Sequence, residues 1–432
     1  MSSLRIRNAT LVTQDDARRV VQGDLYCEDG RIVAVGTPEA RREADRELDG
    51  TGQVVVPGLI NLHTHLAMGL LRGIGDDLPL ETWLRERIWP AEDRITEPLM
   101  RAGVELGLAE MVASGTTSFL DMYWMEEGVV APACRSAGVR GWLGEGFVDV
   151  GQTEAGQPNR KLAPLERFIK AAKGDPLVTP CPAPHGAYTC NPETYAESAR
   201  IAAEHGVPLH THCSETRTEV HDVQARTGTR PVARIAQAGA LTPRTVLAHC
   251  GWITKGEVGD IAAAGASVAH CPVSNMKLAT GGVTPVAELH GAGVRVGLGT
   301  DGAASNNGLD LFETMKVAAL VQKNHRWDAT ALPAQKALDM ATRDAADALH
   351  RPDLGRLVPG ATADLAMVDF RRPHLVPRHD TASLLVYSAS GRDVSATAVG
   401  GRVLMAHGRH ETLDLPQVLA AAQRAGNALR VA

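Results

Sequence analysis

The chain has 432 residues, 44% of them hydrophobic and 22% charged, and a formal net charge of -6. That balance belongs to an ordinary globular protein and excludes a disordered chain. The mild acidity argues against nucleic acid or an anionic membrane surface as the main partner.

At this length the chain accommodates two or three average domains, or one large barrel with an appendage. The N-terminal stretch MSSLRIRNATLVTQDD has no signal-like apolar region, and no run of about 18 apolar residues occurs, so no membrane partner is expected. Seven cysteines, among them Cys27, Cys213 and Cys250, form no CxxC pair. This usage predicts reduced thiols and a cytoplasmic location.

The first 57 residues read as short strands. SLRIRNATLVTQ alternates in polarity, GDLYCEDGRIVAVG carries an Asp29-Gly30 turn signal, and GQVVVPG closes the segment. From residue 58 to 357, apolar strands alternate with Ala-rich helical stretches, the pattern of βα units around a parallel sheet. Eight strand candidates follow in order: VPGLINLHTH, TTSFLDMY, VRGWLGEGF, LVTPCPAPH, VPLHTHCSE, TVLAHCGWI, ASVAHCP and VRVGLGTDG. Eight such units in 300 residues predict an α/β fold, a (β/α)8 TIM-like barrel, whose usual size is about 250 residues. Beyond residue 357, ADLAMVDF and VSATAVGGRVLMAHGRH return to the β texture, with a Gly400-Gly401 turn. Residues 1–57 and 358–432 are therefore expected to form one small β-sandwich domain built from both chain ends.

Nearly every barrel strand candidate ends in a residue that can do chemistry: His63 and His65, Asp121, Glu145, His185, His212 with Glu215, His249, then Asp301. In such barrels the C-terminal strand ends form the active face. His63 and His65 stand one residue apart, so on a strand they point the same way. Alone, an HxH pair is more often two solvated histidines. Joined by His212, His249 and Asp301 from three other strands, it becomes a nitrogen-rich set with one carboxylate, suited to zinc or iron. His210 shares a face with His212 one step deeper and reads as packing behind it. Glu215, three residues after His212, stands where a proton shuttle would, although it also reads as a first-turn acid of the next helix.

With those residues in place, the chain resembles the amidohydrolase superfamily from end to end. HTHLAMGLLRGIGDDLPLETWL, IWPAED, PHGAYTC, HCSET, HCPVSNMKLATGG and GTDGAASNNGLDLFETMK are similar to the deaminases of 5'-methylthioadenosine and S-adenosylhomocysteine. The resemblance implies one zinc held by His63, His65, His212 and Asp301. It implies that His249 orients the hydrolytic water, Glu215 protonates the ring nitrogen, and Asp301 takes a proton from the water. Trp83, Glu92 and His185 match residues that contact the nucleoside, with Glu92 on the ribose hydroxyls. The family also tends to form homo-oligomers. One position departs from it: where deaminases that grip the homocysteine carboxylate carry arginine, this chain has Glu145, with Arg160 or Lys161 as the nearby basic residue. A carboxylate there repels another carboxylate and favours a neutral or cationic tail. The expected activity is deamination of adenine nucleosides at C6. The alternatives are an aminohydrolase or chlorohydrolase of another heterocycle (guanine, pterin or triazine), and a scaffold that has lost its metal. Glu92 favours a ribose-bearing substrate over a free base.

Overall fold

The computed structural model describes residues 3–430. Five N-terminal strands come first: β1 (Ser3–Val12), β2 (Val20–Glu28), β3 (Arg31–Val35), β4 (Arg46–Asp49) and β5 (Gln53–Pro57). Eight strands of the middle follow: β6 (Leu59–Thr64), β7 (Thr116–Tyr123), β8 (Arg140–Phe147), β9 (Val178–Pro184), β10 (Leu209–Cys213), β11 (Thr245–His249), β12 (Ser267–His270) and β13 (Val296–Leu298). The chain ends with β14 (Leu365–Asp369), β15 (Val394–Val399), β16 (Arg402–Ala406), β17 (Arg409–His410) and a helix, Leu415–Leu429.

Both chain ends enter one nine-stranded sheet, in the order β17-β16-β15-β14-β5-β1-β2-β3 with β4 on β1. The ends join where β14 runs antiparallel to β5, from Leu365 opposite Pro57 to Asp369 opposite Gln53. Alternating residues of the two halves, including Leu4, Ile6, Leu25, Val55, Leu365, Met367 and Ala396, bury into a cluster separate from the main core. The two turn signals are realised with left-handed backbone, at Asp29 and Gly30 (φ 47° and 78°) and at Gly400 and Gly401 (φ 54° and 73°). Such turns match the twist of the strands they join.

The middle strands form two four-stranded parallel sheets, β6-β7-β8-β9 and β10-β11-β12-β13. Backbone contacts link these sheets at both edges. Gly186 bridges His212 in parallel, and the Asp301 N–H donates to the His63 carbonyl at 3.0 Å. Every residue of β6, β7, β10, β11, β12 and β13 is buried, as expected of parallel strands covered on both faces. All eight strands therefore deliver their C-terminal ends to one side.

Some strand ends differ from those the sequence pattern suggests. β6 stops at Thr64, and His65 caps the 3-10 helix Leu66–Leu71 with φ -122° and ψ 84°. Glu145 lies inside β8, two residues before its end. Asp301 stands three residues beyond β13. The HxH alternation is thus broken locally, and convergence at the site depends on the loops.

The passage from the nine-stranded sheet to β6 leaves room only for glycine at position 58, where a Cβ would lie 2.1 Å from Thr117 Oγ1. Beside it, Arg140 at the start of β8 makes a two-pronged ion pair with Asp364, at 3.2 Å and 3.1 Å. Their side chains are 7% and 2% exposed. Asp364 also accepts the Gly400 N–H at 2.7 Å. Among the described residues, no helix is long and apolar enough to cross a membrane.

Removing one partner of a buried pair strands the other charge, which costs about 3–5 kcal/mol. Arg140→Met is therefore expected to lower unfolding stability by that amount in denaturant titration. Replacing both partners, Arg140→Met with Asp364→Leu, should cost less than Arg140→Met alone. An Arg140→Met protein as stable as the parent would show that the pair does not hold the sheet to the parallel strands.

Candidate metal centre

The ligating atoms of His63, His65 and His212 lie within 4.8 Å of one another, as do those of His63, His249 and Asp301. Asp301 Oδ1 is 3.2 Å from His63 Nε2 and 3.2 Å from His65 Nε2. His212 Nε2 is 3.3 Å from His65 Nε2.

Each imidazole has its other nitrogen engaged by a neighbour that fixes which nitrogen carries the proton. His65 Nδ1 donates to the Met122 carbonyl, and His212 Nδ1 donates to the His185 carbonyl at 2.9 Å. His63 is held at one remove. His210 Nδ1 donates to the Val246 carbonyl at 3.0 Å, so its Nε2 is a bare acceptor, and it takes the His63 Nδ1 proton at 2.7 Å. Neutral rings in these tautomers point three Nε2 lone pairs at one another and at a carboxylate oxygen. His63 Nε2 is buried without a hydrogen-bond partner. Only a positive charge between them turns that mutual repulsion into attraction, and the donor set suits a transition metal.

The protonation tendencies agree. Burial pushes His63 down to about 3 and His212 well below the usual imidazole value. Burial also opposes charge on His65, but the Asp301 carboxylate overrides it and lifts that ring to about 9. A proton on His65 does for one ring what a metal ion would do for all the donors. Burial alone would raise Asp301, yet the imidazoles of His63 and His65 beside it hold it well below the usual carboxylate range.

Asp301 is aimed by its second oxygen. Oδ2 accepts the hydroxyls of Ser274 at 2.6 Å and Ser305 at 2.9 Å, leaving Oδ1 for the histidines. His249 donates from Nδ1 to Asn275 Oδ1 at 2.9 Å and turns Nε2 towards Glu215 Oε2, 3.9 Å away. Left-handed backbone at Ser214, His249, Cys250 and Asp301 (φ 51°, 73°, 53° and 62°) marks these strand ends. Such conformations in non-glycine residues cluster at functional sites. Glu215 is half-buried, and the loss of solvent raises its pKa, while its N–H is fixed by Glu219 Oε2 at 2.7 Å.

Around this group, Tyr123 donates its hydroxyl to Glu92 Oε1 at 2.8 Å, and its ring lies 6.1 Å from that of His65. Burial raises Glu92. Trp83 is buried. The His185 ring packs 4.8 Å from that of His212, with Nδ1 donating to Thr189 Oγ1 at 3.0 Å. Glu145 accepts the Glu126 N–H at 3.3 Å, and the basic group it meets is Lys161 Nζ, at 3.9 Å. Arg160, the alternative basic residue, is exposed on the loop beyond β8. Asn275, Ser274 and Ser305 carry no sequence signal of their role, whereas His210 reads there as core or as a support behind the ligands, and the structure gives it the second of these. The only trace of His210 in the sequence is its shared face with His212.

Carbonyl and histidine partners behind metal ligands typically contribute 10–100-fold to affinity. His210→Phe should therefore weaken zinc binding by about 10- to 100-fold in chelator competition while keeping the fold, and His63→Ala should abolish binding. Unchanged affinity in His210→Phe would dismiss the relay.

Comparison with known proteins gives the same constellation a context. The model of the Amidohydrolase family matches residues 54–404. A 5'-deoxyadenosine deaminase from Methanothermobacter thermautotrophicus is 44% identical over 412 residues, covering 95% of each chain. A 5-methylthioadenosine/S-adenosylhomocysteine deaminase from Pelotomaculum thermopropionicum is 41% identical over 98% of each. Among solved structures, an adenosine deaminase from Xanthomonas campestris with bound zinc superposes with a TM-score of 0.93 at 33% identity, covering 99% of both chains. An atrazine chlorohydrolase from Arthrobacter aurescens complexed with zinc reaches 0.89 at 28% identity, covering 98% of this chain and all of the other. The fold shared with these proteins is an α/β TIM barrel. With a family match spanning most of its length and relatives above 40% identity, the chain belongs to the amidohydrolase family.

Proposed function

We propose that the protein is a zinc-dependent aminohydrolase that removes the amine from C6 of adenine nucleosides, releasing ammonia and the inosine analogue. The observation that carries this reading is the convergence of His63 and His65 Nε2 on Asp301 Oδ1, with His212 Nε2 against His65 and with His249 and Glu215 beside them. His63, His65, His212 and Asp301 would hold one zinc, and iron would fit the same donors. A bound zinc supplies positive charge and lowers the pKa of a coordinated water from about 15.7 to about 7.

The chain's own groups account for the proton movements. His249, its Nδ1 proton committed to Asn275, offers Nε2 as an acceptor that orients the attacking water. Asp301 Oδ1 takes the proton that leaves the water, since Oδ2 is saturated by two serine hydroxyls. Glu215, its pKa raised by burial, is the acid that delivers a proton to the ring nitrogen beside C6. The water oxygen bonds to C6, and Asp301 passes the proton it took from the water to the amine. The bond from C6 to nitrogen breaks and ammonia leaves, and the remaining hydroxyl proton returns to Glu215 as the carbonyl forms.

Glu92 has one oxygen engaged by Tyr123, leaving the other to accept the ribose hydroxyls. Trp83 and His185 line the nucleoside. At the 5' end, the charges of Glu145 and Lys161 offset each other at 3.9 Å, and Arg160 stands apart as a second, exposed cation. A pocket so balanced offers no net positive charge to a homocysteine carboxylate. It favours a neutral tail, as in 5'-deoxyadenosine or methylthioadenosine, and the relative at 44% identity bears the first of these names. The same reading takes residues 1–57 with 358–432 as a small β-sandwich domain around the separate apolar cluster that both chain ends line. Residues 58–357 are then the catalytic barrel. Seven buried free cysteines support a reducing, cytoplasmic setting.

Ammonia release by the zinc-loaded protein tests the reaction. The expected order is 5'-deoxyadenosine and methylthioadenosine first, then adenosine, with S-adenosylhomocysteine last. Turnover of guanine or an aminotriazine with none of any adenosine would overturn the reading. Glu215→Gln should keep its zinc and lose about 10²–10⁴-fold in kcat, the usual contribution of a positioned acid. Glu145→Arg should raise kcat/KM for S-adenosylhomocysteine relative to 5'-deoxyadenosine, and an unchanged ratio would remove Glu145 from the tail pocket.

A further inference from the structure

We propose that Lys277 is a positioning residue, which latches the segment 73–92 over the metal centre through Asp76 and so sets nucleoside affinity without touching the substrate. The inference rests on the nucleoside reading above only for its kinetic consequence. Segment 73–92 carries Trp83 and Glu92 and begins at Gly73, which has a left-handed φ of 74° and open space where a Cβ would be. Gly75 lies against the segment's own helix, since a Cβ there would be 2.7 Å from Arg87 Cγ and 3.2 Å from Trp83 Cδ1. Loop and helix therefore pack as one piece behind a glycine whose conformation other residues rarely adopt.

Asp76 ties that piece to the barrel. Its Oδ1 accepts Lys277 Nζ at 2.6 Å, and its Oδ2 accepts Asn307 Nδ2 at 3.0 Å. The remaining Lys277 protons go to the Ala304 carbonyl at 3.2 Å and to Asn307 Oδ1. All three ammonium donors are thus committed. Lys277 chiefly, with Asn307, holds Asp76 below the usual carboxylate range.

What Lys277 connects gives the latch its meaning. Lys277 ends the helix Pro272–Lys277, whose Ser274 aims Asp301 and whose Asn275 aims His249. Ala304 and Asn307 belong to the turn after Asp301, where Ser305 makes the second bond to that carboxylate. One ammonium therefore joins the covering segment to both supports of the metal centre. The pair is 24% and 34% exposed, within reach of water and salt. An ion pair with that access is one that salt weakens, as a latch that admits a substrate would require.

The test compares zinc-loaded full-length Lys277→Met, Asp76→Asn and Lys277→Arg with the parent protein. Losing a charge-assisted latch should raise KM for 5'-deoxyadenosine about tenfold, with kcat within about twofold. Zinc content should be unchanged, and Lys277→Arg should recover most of the affinity. In substrate-free protein, thermolysin should cut between residues 73 and 80 about tenfold faster in Lys277→Met and Asp76→Asn. Molar salt should raise both KM and cleavage in the parent far more than in those variants. Parent-like KM and cleavage in both variants would overturn the latch. So would loss of zinc from Lys277→Met, which would make the lysine a support of the metal ligands instead. The cleavage comparison stands even if no nucleoside is turned over, which separates this inference from the proposed activity.

Discussion

The structure turns on three histidine protons pointing away from one place. Met122 and His185 supply carbonyls that take two of them, and His210, itself fixed by the Val246 carbonyl, takes the third. All are backbone groups of the parallel strands or the loops that leave them, or a side chain buried between strands. The tautomers follow from strand register, and a slip of one residue would turn the rings away and lose the bare nitrogens. The cage is therefore a property of how β6, β7, β9, β10 and β11 sit beside one another.

That dependence explains the investment in the opposite end of the molecule. Arg140 begins β8 at the far edge of the barrel strands and reaches Asp364, which also accepts the Gly400 N–H of the nine-stranded sheet. Gly58 admits the close passage of β6 past Thr117. These contacts touch no ligand. They fix where the parallel strands start, and so where their other ends arrive. A barrel whose strand starts drifted would keep its core and lose its cage.

The sequence carries the parts that repeat. Alternating βα units, turn signals at Asp29-Gly30 and Gly400-Gly401, and polar residues at successive strand ends lead to the fold and to the cluster of His63, His65, His212, His249 and Asp301. What it hides is whatever depends on loop geometry. His65 and Asp301 lie outside their strands, where a period-two pattern has no force. His210 looks like a core histidine because its work is done through a second ring. Of the neighbouring basic residues, only the fold tells Lys161, which meets Glu145, from Arg160, which is exposed. Lys277 and Asp76 are 201 residues apart, and nothing local in either stretch pairs them.

The charge of the site has a consequence for Glu215. Burial raises this acid, as it raises Glu92, while the nearby Asp301 carboxylate raises it and the imidazoles of His249 and His65 lower it. A divalent cation among His63, His65, His212 and Asp301 would leave a net positive centre beside His249, and a bound cation is the largest local charge in such a site. Its pull on Glu215 opposes the push of burial. Opposing influences on one acid are the arrangement that lets it both give and regain a proton, the condition for general acid–base work. Burial alone would make Glu215 a proton store, and exposure alone would make it a spectator charge. It is the conjunction with a cationic neighbour that would make it a shuttle.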